Sequence, residues 1–264
     1  MSLGSDNLSR RVRMNGSSCV KGVGPRLPTS VVLNSDVEQL YADAVFLKRA
    51  FQKYRLSAMR TETSRTKMGR PRGFNEAQAL EAAMLLFWSK GYEGATTNDL
   101  AHVMGINASS MYAAFGSKEE LFKRAVVRYC DEHMTFFPAA LALPTMSETV
   151  RAILEGTINL VSKPGYPQGC LTIQSGMATT ESIRLFLNGY RKQGEDALKR
   201  RVERAKKESD LDPTLNSGDF ARYLVMLTTG MSVQAANGTS KAELKRQADL
   251  ALRYFGYKPF SHSQ

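Results

Sequence analysis

The fold is decided by residues 96–122, TTNDLAHVMGINASSMYAAFGSKEELF. Thr96 and Asp99 have the spacing of a capping box, which predicts the start of a short helix there. A turn around Gly105 follows, and a second short helix is predicted over residues 108–115. Two short helices joined by a Gly-containing turn form a helix-turn-helix, a motif that places its second helix in the major groove of DNA. The stretch therefore indicates a DNA-binding protein.

One further helix before the motif completes this unit, and another helix follows it. A helix is predicted from Asn75, a suitable N-cap, to Lys90, and Gly91 ends it. Its apolar residues recur at helical spacing and form one buried stripe. Another capping box, Ser117 with Glu120, begins the helix after the motif. We assign residues 69–122 to an N-terminal three-helix DNA-binding domain.

The rest of the chain also has helical periodicity. Apolar residues recur at helical spacing, with Pro- and Gly-containing breaks between the segments, near residues 145–162, 169–177, 180–208, 217–236 and 240–255. No alternation typical of strands competes with this pattern. The sequence predicts an all-α protein in which residues 123–264 form a helical domain.

Composition excludes several classes of protein. Hydrophobic residues make up 42% and charged residues 23% of the chain, as in ordinary soluble proteins. No apolar run approaches the roughly 20 residues that cross a bilayer, so we expect a cytoplasmic protein without a membrane partner. The three Cys and three His are scattered, which predicts neither a metal nor another cofactor. There is no nucleophile–base pair or Gly-rich phosphate loop, and we expect no enzyme activity.

The net charge of +11 is concentrated in the first 74 residues. Residues 1–68 are predicted to be a basic, mostly disordered extension with an amphipathic helix over 37–58. Two interpretations of this extension stay open. It is either sequence upstream of a true start at Met68, or an extra helix that packs on the body or on a partner.

The second helix of the motif has two distinct faces. At 100° per residue, Met111 and Phe115 point inward, whereas Ser109, Ser110 and Tyr112 lie on the outer side or its flanks. Serine hydroxyls can bind base edges and Tyr112 can reach a phosphate. The alternative is a short surface helix on which small residues are merely tolerated.

The helix ends on either side favour the DNA interpretation. Thr96 and Thr97 begin one helix, and Ser117 and Lys118 begin another. Free backbone N–H groups at such ends bind phosphate oxygens, and Lys118 adds a positive charge.

These residues resemble the TetR family of bacterial regulators. The matching phrases are GRPRGF, ALEAAMLLFWSKGYEG, TNDLAHVMGINASSMYAAFGSKEELF and, more loosely, GCLTIQSG and SKAELKRQADLALRYF. The resemblance spans about residues 69–255. It implies a homodimer on a palindromic DNA operator, a C-terminal domain for dimerisation and inducer binding, and an arm with Arg70 and Arg72 that reaches a minor groove or phosphates.

The last two predicted helices offer a surface for the second copy. Their apolar stripe includes Phe220, Leu224, Met231 and Leu252 and fits a four-helix bundle between subunits. The alternative is that the stripe is simply core. The resemblance favours the dimer.

An inducer pocket is expected in the C-terminal domain. The aromatic and Met content of residues 145–190 suits an apolar cavity for a small organic molecule, with ligand contacts predicted at Cys170, Gln174, Met177, Phe186 and Tyr190. Cys170 also permits an alternative function, a thiol redox sensor on the same scaffold, with Lys163 as the nearest cation in sequence. A lone Cys on an apolar stretch is more often a small core residue.

Overall fold

A computed structural model describes residues 74–176 and 180–260. Within these ranges the chain forms ten α-helices and no strand, which confirms the all-α prediction. The helices are α1 (Glu76–Gly94), α2 (Thr97–Val103), α3 (Ala108–Phe115), α4 (Lys118–His133), α5 (Phe136–Leu141), α6 (Met146–Val161), α7 (Leu171–Gln174), α8 (Glu181–Lys207), α9 (Ser217–Ala236) and α10 (Lys241–Tyr254).

The first three helices pack together on the apolar side of α1. Asn75 accepts hydrogen bonds from the N–H groups of Ala77 and Gln78 and so caps this helix. Phe87 and Trp88 are fully buried. At Gly91 the backbone has φ 71°, a conformation that favours glycine, and the regular helix is interrupted there. The predicted end of the helix is therefore a kink, and one further turn continues to Gly94.

The long helix α4 packs along α1. Its buried side chains include Phe122, which meets the Phe87 ring edge-on at a centroid distance of 5.0 Å. Arg124 bonds to Glu76, and Arg128 lies 2.7 Å from Glu81. Because α4 then continues past this core, it connects the N-terminal helices with those that follow.

The remaining helices build a second layer of packing. Helix α6 lies against α5, α9 and α10, and α8 lies against α9. The side chain of Arg201 is completely buried and donates to the carbonyl oxygens of Leu143 and Pro144, each at 3.1 Å. None of the helices in the described ranges is both long enough and apolar enough to cross a bilayer.

The predicted dimer stripe is wrong, because its side chains already belong to the core of the single chain. Phe220 and Met231 are less than 9% exposed, and Leu224 and Leu252 are fully buried. Periodicity identifies the apolar side of a helix but does not say what covers it. The apolar side chains that α9 and α10 leave in solvent are others, namely Met226, Leu250 and Tyr254.

One helix was not predicted from the sequence, and some predicted features lie outside the described residues. The pattern missed α5, which has no side-chain cap and contains Pro138. The predicted extension 1–68, its helix 37–58 and the basic arm lie outside the described residues, as does Met177.

Gly156 allows α5 to approach α6 closely. A Cβ atom at this position would overlap the ring of Phe136, whereas a Cβ atom at Gly189 on α8 would meet nothing within 4 Å. The two glycines both lie within helices but differ in the space around them.

We expect Gly156→Ala to lower the free energy of unfolding by about 1–3 kcal/mol, because the Phe136 ring must move out of a packed position. The matched change Gly189→Ala should raise it by about 0.5–1 kcal/mol, since alanine is the better helix former. Urea unfolding of both variants measures this. Equal changes in the free energy of unfolding would show that the Phe136 ring moves aside without strain.

Candidate nucleic-acid interface and ligand cavity

The start of α2 is fixed by its own cap and by α1. The Thr96 hydroxyl accepts from the Asp99 N–H at 3.1 Å, and the Asp99 carboxylate accepts from the Thr96 N–H at 3.4 Å. Lys90 donates to the same carboxylate at 3.0 Å. These hydrogen bonds lower the pKa of Asp99, with that from Lys90 first. The predicted capping box is present, and the N-terminus of α2 is held against the end of α1.

Helix α3 presents the faces that its sequence predicts. Met111 and Phe115 are buried, Ser109 and Tyr112 are exposed, and Ser110 is half-buried. The N-cap is Asn107, whose side chain accepts from the Ser110 N–H at 2.7 Å. This cap was not predicted, although Asn directly before a helix is a common capping signal.

Tyr112 is held by a residue of the preceding helix. Its phenol oxygen lies 3.3 Å from the Thr97 hydroxyl, and the side chain is 47% exposed. The contact joins α2 to α3 at the protein surface. It directs a phenol hydroxyl outward, where it can bond to a phosphate.

Lys118 is held in a comparable way at the start of α4. Its ammonium lies 4.5 Å from the centroid of the Tyr92 ring, a cation–π contact. The adjacent N-cap, Ser117, forms the predicted capping box with Glu120, at 3.1 and 2.8 Å. A positive charge therefore sits beside a helix N-terminus, an arrangement that attracts anions. Arg70 and Arg72, the predicted arm, lie outside the described residues.

A cavity of about 530 Å³ lies between the C-terminal helices. Two of the predicted ligand residues, Cys170 and Tyr190, belong to its lining. Gln174 and Phe186 do not. Gln174 donates to the Gln168 carbonyl at 2.8 Å, and Phe186 packs edge-on against Tyr190 with 5.0 Å between ring centroids. Ligand contacts at all four positions stay a prediction.

Most of the lining was not predicted. It includes Met134, directly after α4, and residues of α5, α6 and α9, among them Phe136, Phe137, Ile153, Leu160, Val225, Thr228 and Ser232. The only signal in the sequence was the pair of hydroxyls at positions 228 and 232. These are spaced by four and so share one face of the helix.

Cys170 is enclosed rather than exposed. It is 4% accessible, its sulfur accepts a hydrogen bond from the Tyr129 hydroxyl at 3.3 Å, and the Thr172 hydroxyl lies 3.2 Å away. Burial raises the pKa of Tyr129 well above its usual value. Lys163, the cation considered for activating this thiol, contacts His133 and the Tyr166 ring instead.

An aromatic cluster connects the cavity wall to α1. It consists of Trp88, Tyr129, His133 and Tyr166, with ring centroids 4.7–5.7 Å apart. The Trp88 indole N–H donates to the carbonyl oxygen of Gly169 at 3.1 Å, and the next residue lines the cavity. Among the described residues, no group of three or more His, Cys, Asp or Glu side chains could hold a metal ion.

Comparison with known proteins gives a consistent set of relatives. A sequence profile of the bacterial regulatory proteins of the tetR family matches residues 79–125. The HTH-type transcriptional repressor ComR of Escherichia coli is 30% identical over 200 residues, which cover 73% of this chain and 94% of ComR. The repressor BdcR of the same organism is 30% identical over 162 residues, which cover 58% of this chain and 81% of BdcR.

A solved structure supports the same relationship as these sequence relatives. The TetR family regulator CifR, a cysteine mutant in complex with 26-base-pair operator DNA, has a TM-score of 0.66 and 32% identity. The match covers 70% of this chain and 98% of that chain.

His133 predicts a pH dependence of stability. Burial lowers its pKa first and Lys163 lowers it further, with Arg128 acting in the same direction and Glu81 opposing. Between the ordinary His pKa of about 6.5 and this lowered value, the unfolded chain binds a proton that the folded chain does not. The free energy of unfolding should therefore fall as the pH falls through this window.

Urea unfolding between neutral and mildly acidic pH tests this for the wild type and for His133→Gln, which should show a weaker dependence. His102→Gln changes an exposed histidine of α2 and serves as the control. If the free energy of unfolding of His133→Gln depends on pH as strongly as that of the wild type, His133 is not the group responsible.

Proposed function

Because the chain belongs to the TetR family of bacterial regulatory proteins, we propose that it is a repressor that binds a palindromic operator as a homodimer and leaves it when a small apolar molecule binds. The observation that carries this proposal is α3, with exposed Ser109 and Tyr112 beside two capped helix N-termini. Repression is favoured because ComR and BdcR are both named transcriptional repressors. We propose no catalytic activity and a cytoplasmic location.

DNA contacts divide into two kinds. Tyr112, Lys118, Thr96 and Thr97 would bind backbone phosphates, which position the protein but carry no sequence information. Ser109 and Ser110 would meet base edges in the major groove. Arg70 and Arg72 would add contacts from the arm. The half-sites of a dimer's operator would lie about one DNA turn, roughly 34–36 Å, or a multiple of it apart.

The cavity is the proposed inducer site. Its volume of about 530 Å³ is in the range of small-molecule sites, and its wall is mostly apolar. A ligand releases DNA only if it binds the DNA-free conformation better, since equal affinity for both conformations shifts nothing. Helix α4 would transmit the difference, because Lys118 begins it and Cys130 near its other end lines the cavity.

The alternative, a thiol redox sensor, gains no support. Cys170 is almost fully buried, and Lys163 is engaged with His133 and Tyr166. A sensing thiol is normally an accessible thiolate next to a cation.

The proposed DNA contacts predict different phenotypes. Tyr112→Phe and Lys118→Ala should weaken binding to all duplexes alike, and Lys118→Ala should reduce the log–log salt slope by about 1. Ser109→Ala and Ser110→Ala should instead relax preference at one or two base pairs per half-site. Fluorescence anisotropy with selected operator duplexes measures both effects, with Ser147→Ala on α6 as the control. If all four changes left affinity and preference intact, α3 would not read the DNA.

The proposed homodimer should form through the exposed apolar side chains of α9 and α10. Met226 and Leu250 are 59% and 71% exposed in the single chain. Met226→Glu and Leu250→Glu should yield monomers in analytical ultracentrifugation at micromolar concentration, because a charge would be buried without a partner. Leu185→Glu on α8, at a site 60% exposed, is the matched control and should remain a dimer. A monomeric wild type would exclude the proposal.

A further inference from the structure

The buried part of the cavity wall carries hydroxyls and a thiol but no charge. Its buried polar lining residues are Thr157, Cys170, Thr172 and Ser232. The charged lining residues are exposed or half-buried, and basic and acidic ones are equal in number: Asp131, Arg191, Glu195 and Arg200. A ligand that enters the cavity therefore meets an uncharged interior.

The charged side chains are also already engaged. Arg191 donates to the side-chain oxygen of Asn188, and Glu195 accepts from Arg222 at 3.2 Å. Asp131 and Arg200 likewise have partners. None of these charged side chains belongs to the buried part of the wall, so no cation there would draw a carboxylate or a phosphate inside.

On the α9 side, the hydroxyl hydrogens are committed to the helix itself. Ser232 donates to the Thr228 carbonyl at 2.8 Å, and Thr228 donates to the Val225 carbonyl at 3.0 Å. A hydroxyl has one hydrogen and two acceptor lone pairs. Ser232 and Thr228 therefore remain acceptors, and a ligand group that bonds to them has to supply the hydrogen.

On the α7 side, one hydrogen is left over. The sulfur of Cys170 and the hydroxyl of Thr172 lie 3.2 Å apart and share one hydrogen, whichever group donates it. Each of the two groups carries its own hydrogen, so one of the two is uncommitted. Tyr129 donates to the same sulfur and takes up none of them. The side of the cavity that contains α7 can therefore donate.

The acceptor and donor sides adjoin each other. A Cβ atom at Gly169, the residue directly before Cys170, would lie 3.1 Å from the carbonyl oxygen of Ser232. The backbone directly before Cys170 therefore lies close to the backbone at Ser232.

We infer that the ligand of this cavity is a neutral molecule with an apolar body and one hydroxyl group, an alcohol or a phenol. The hydroxyl donates to Ser232 and accepts from Thr172 or Cys170. A carboxylate has no hydrogen to donate and would lose its hydration against an uncharged wall. An ether or a ketone can only accept, so it would form no hydrogen bond with the Ser232 oxygen. This inference rests on the proposed function, in which the cavity is the inducer site.

Three probes with one carbon skeleton test the inference on the full chain: naphthol, methylnaphthalene and naphthoate. Titration calorimetry gives their dissociation constants for the wild type and for Ser232→Ala. Comparing each probe across the two proteins removes the difference in hydrophobicity between the probes. Removing one hydrogen bond should raise the dissociation constant of naphthol about three- to tenfold, while that of methylnaphthalene should stay the same or fall.

Two further variants identify the site and control for folding. Ala197→Leu fills the cavity and should weaken binding of both naphthol and methylnaphthalene, with retained helicity checked by circular dichroism. Ser147→Ala removes a hydroxyl from α6 outside the lining and should change neither dissociation constant.

The outcomes separate the inference from the proposed function. If Ser232→Ala affects naphthol and methylnaphthalene equally while Ala197→Leu weakens both, the cavity is the ligand site but the hydroxyl inference is overturned. Preferential binding of naphthoate overturns it as well, in favour of an anionic ligand. If no naphthalene binds, or if Ala197→Leu has no effect on binding, both the inference and the proposed inducer site fail.

Discussion

The edge-to-face contact between Trp88 and Tyr129, with 4.7 Å between ring centroids, holds the two parts of the molecule together. Trp88 belongs to the first helix of the DNA-binding unit, and the hydroxyl of Tyr129 bonds to a thiol in the cavity wall. Both rings are fully buried, so neither can shift without displacing neighbours. One cluster of rings thus connects α1 to the residues beside the cavity.

The salt bridges between α1 and α4 contribute less than this cluster. Arg124 with Glu76 and Arg128 with Glu81 are each about a quarter to a third exposed. Pairs near the surface typically stabilise a fold by about 0–1 kcal/mol, whereas burying one large apolar side chain contributes about 1.5–3 kcal/mol. A buried aromatic side chain between α1 and α4 therefore stabilises the fold more than either of these pairs does.

The sequence predicted the features that depend only on neighbouring residues. The predicted capping boxes at Thr96 and Ser117 are both present, because each depends only on residues three apart. Helix α5 was missed because it has neither a side-chain cap nor enough length for a periodic pattern.

Features that depend on distant residues could not be read in the same way. The stripe containing Phe220 and Leu224 is apolar in either interpretation, and only the packing of α9 on α8 and α6 decides that it is core. The cavity draws its wall from six helices that span more than a hundred residues, so Cys170 and Tyr190 were found while Met134, Phe136 and Ser232 were not.

The burial of Trp88 also gives the protein a built-in optical reporter. It is the only tryptophan of the chain, so selective excitation records a single environment. Its indole N–H donates to Gly169, the residue before the cavity-lining Cys170, and its ring packs against His133 and Tyr166. The reporter therefore belongs to the DNA-binding unit and also lies close to the cavity wall. A rearrangement that passes between the two parts would change the intensity or wavelength of its emission, so that occupancy of either site could be followed in real time without attaching a dye.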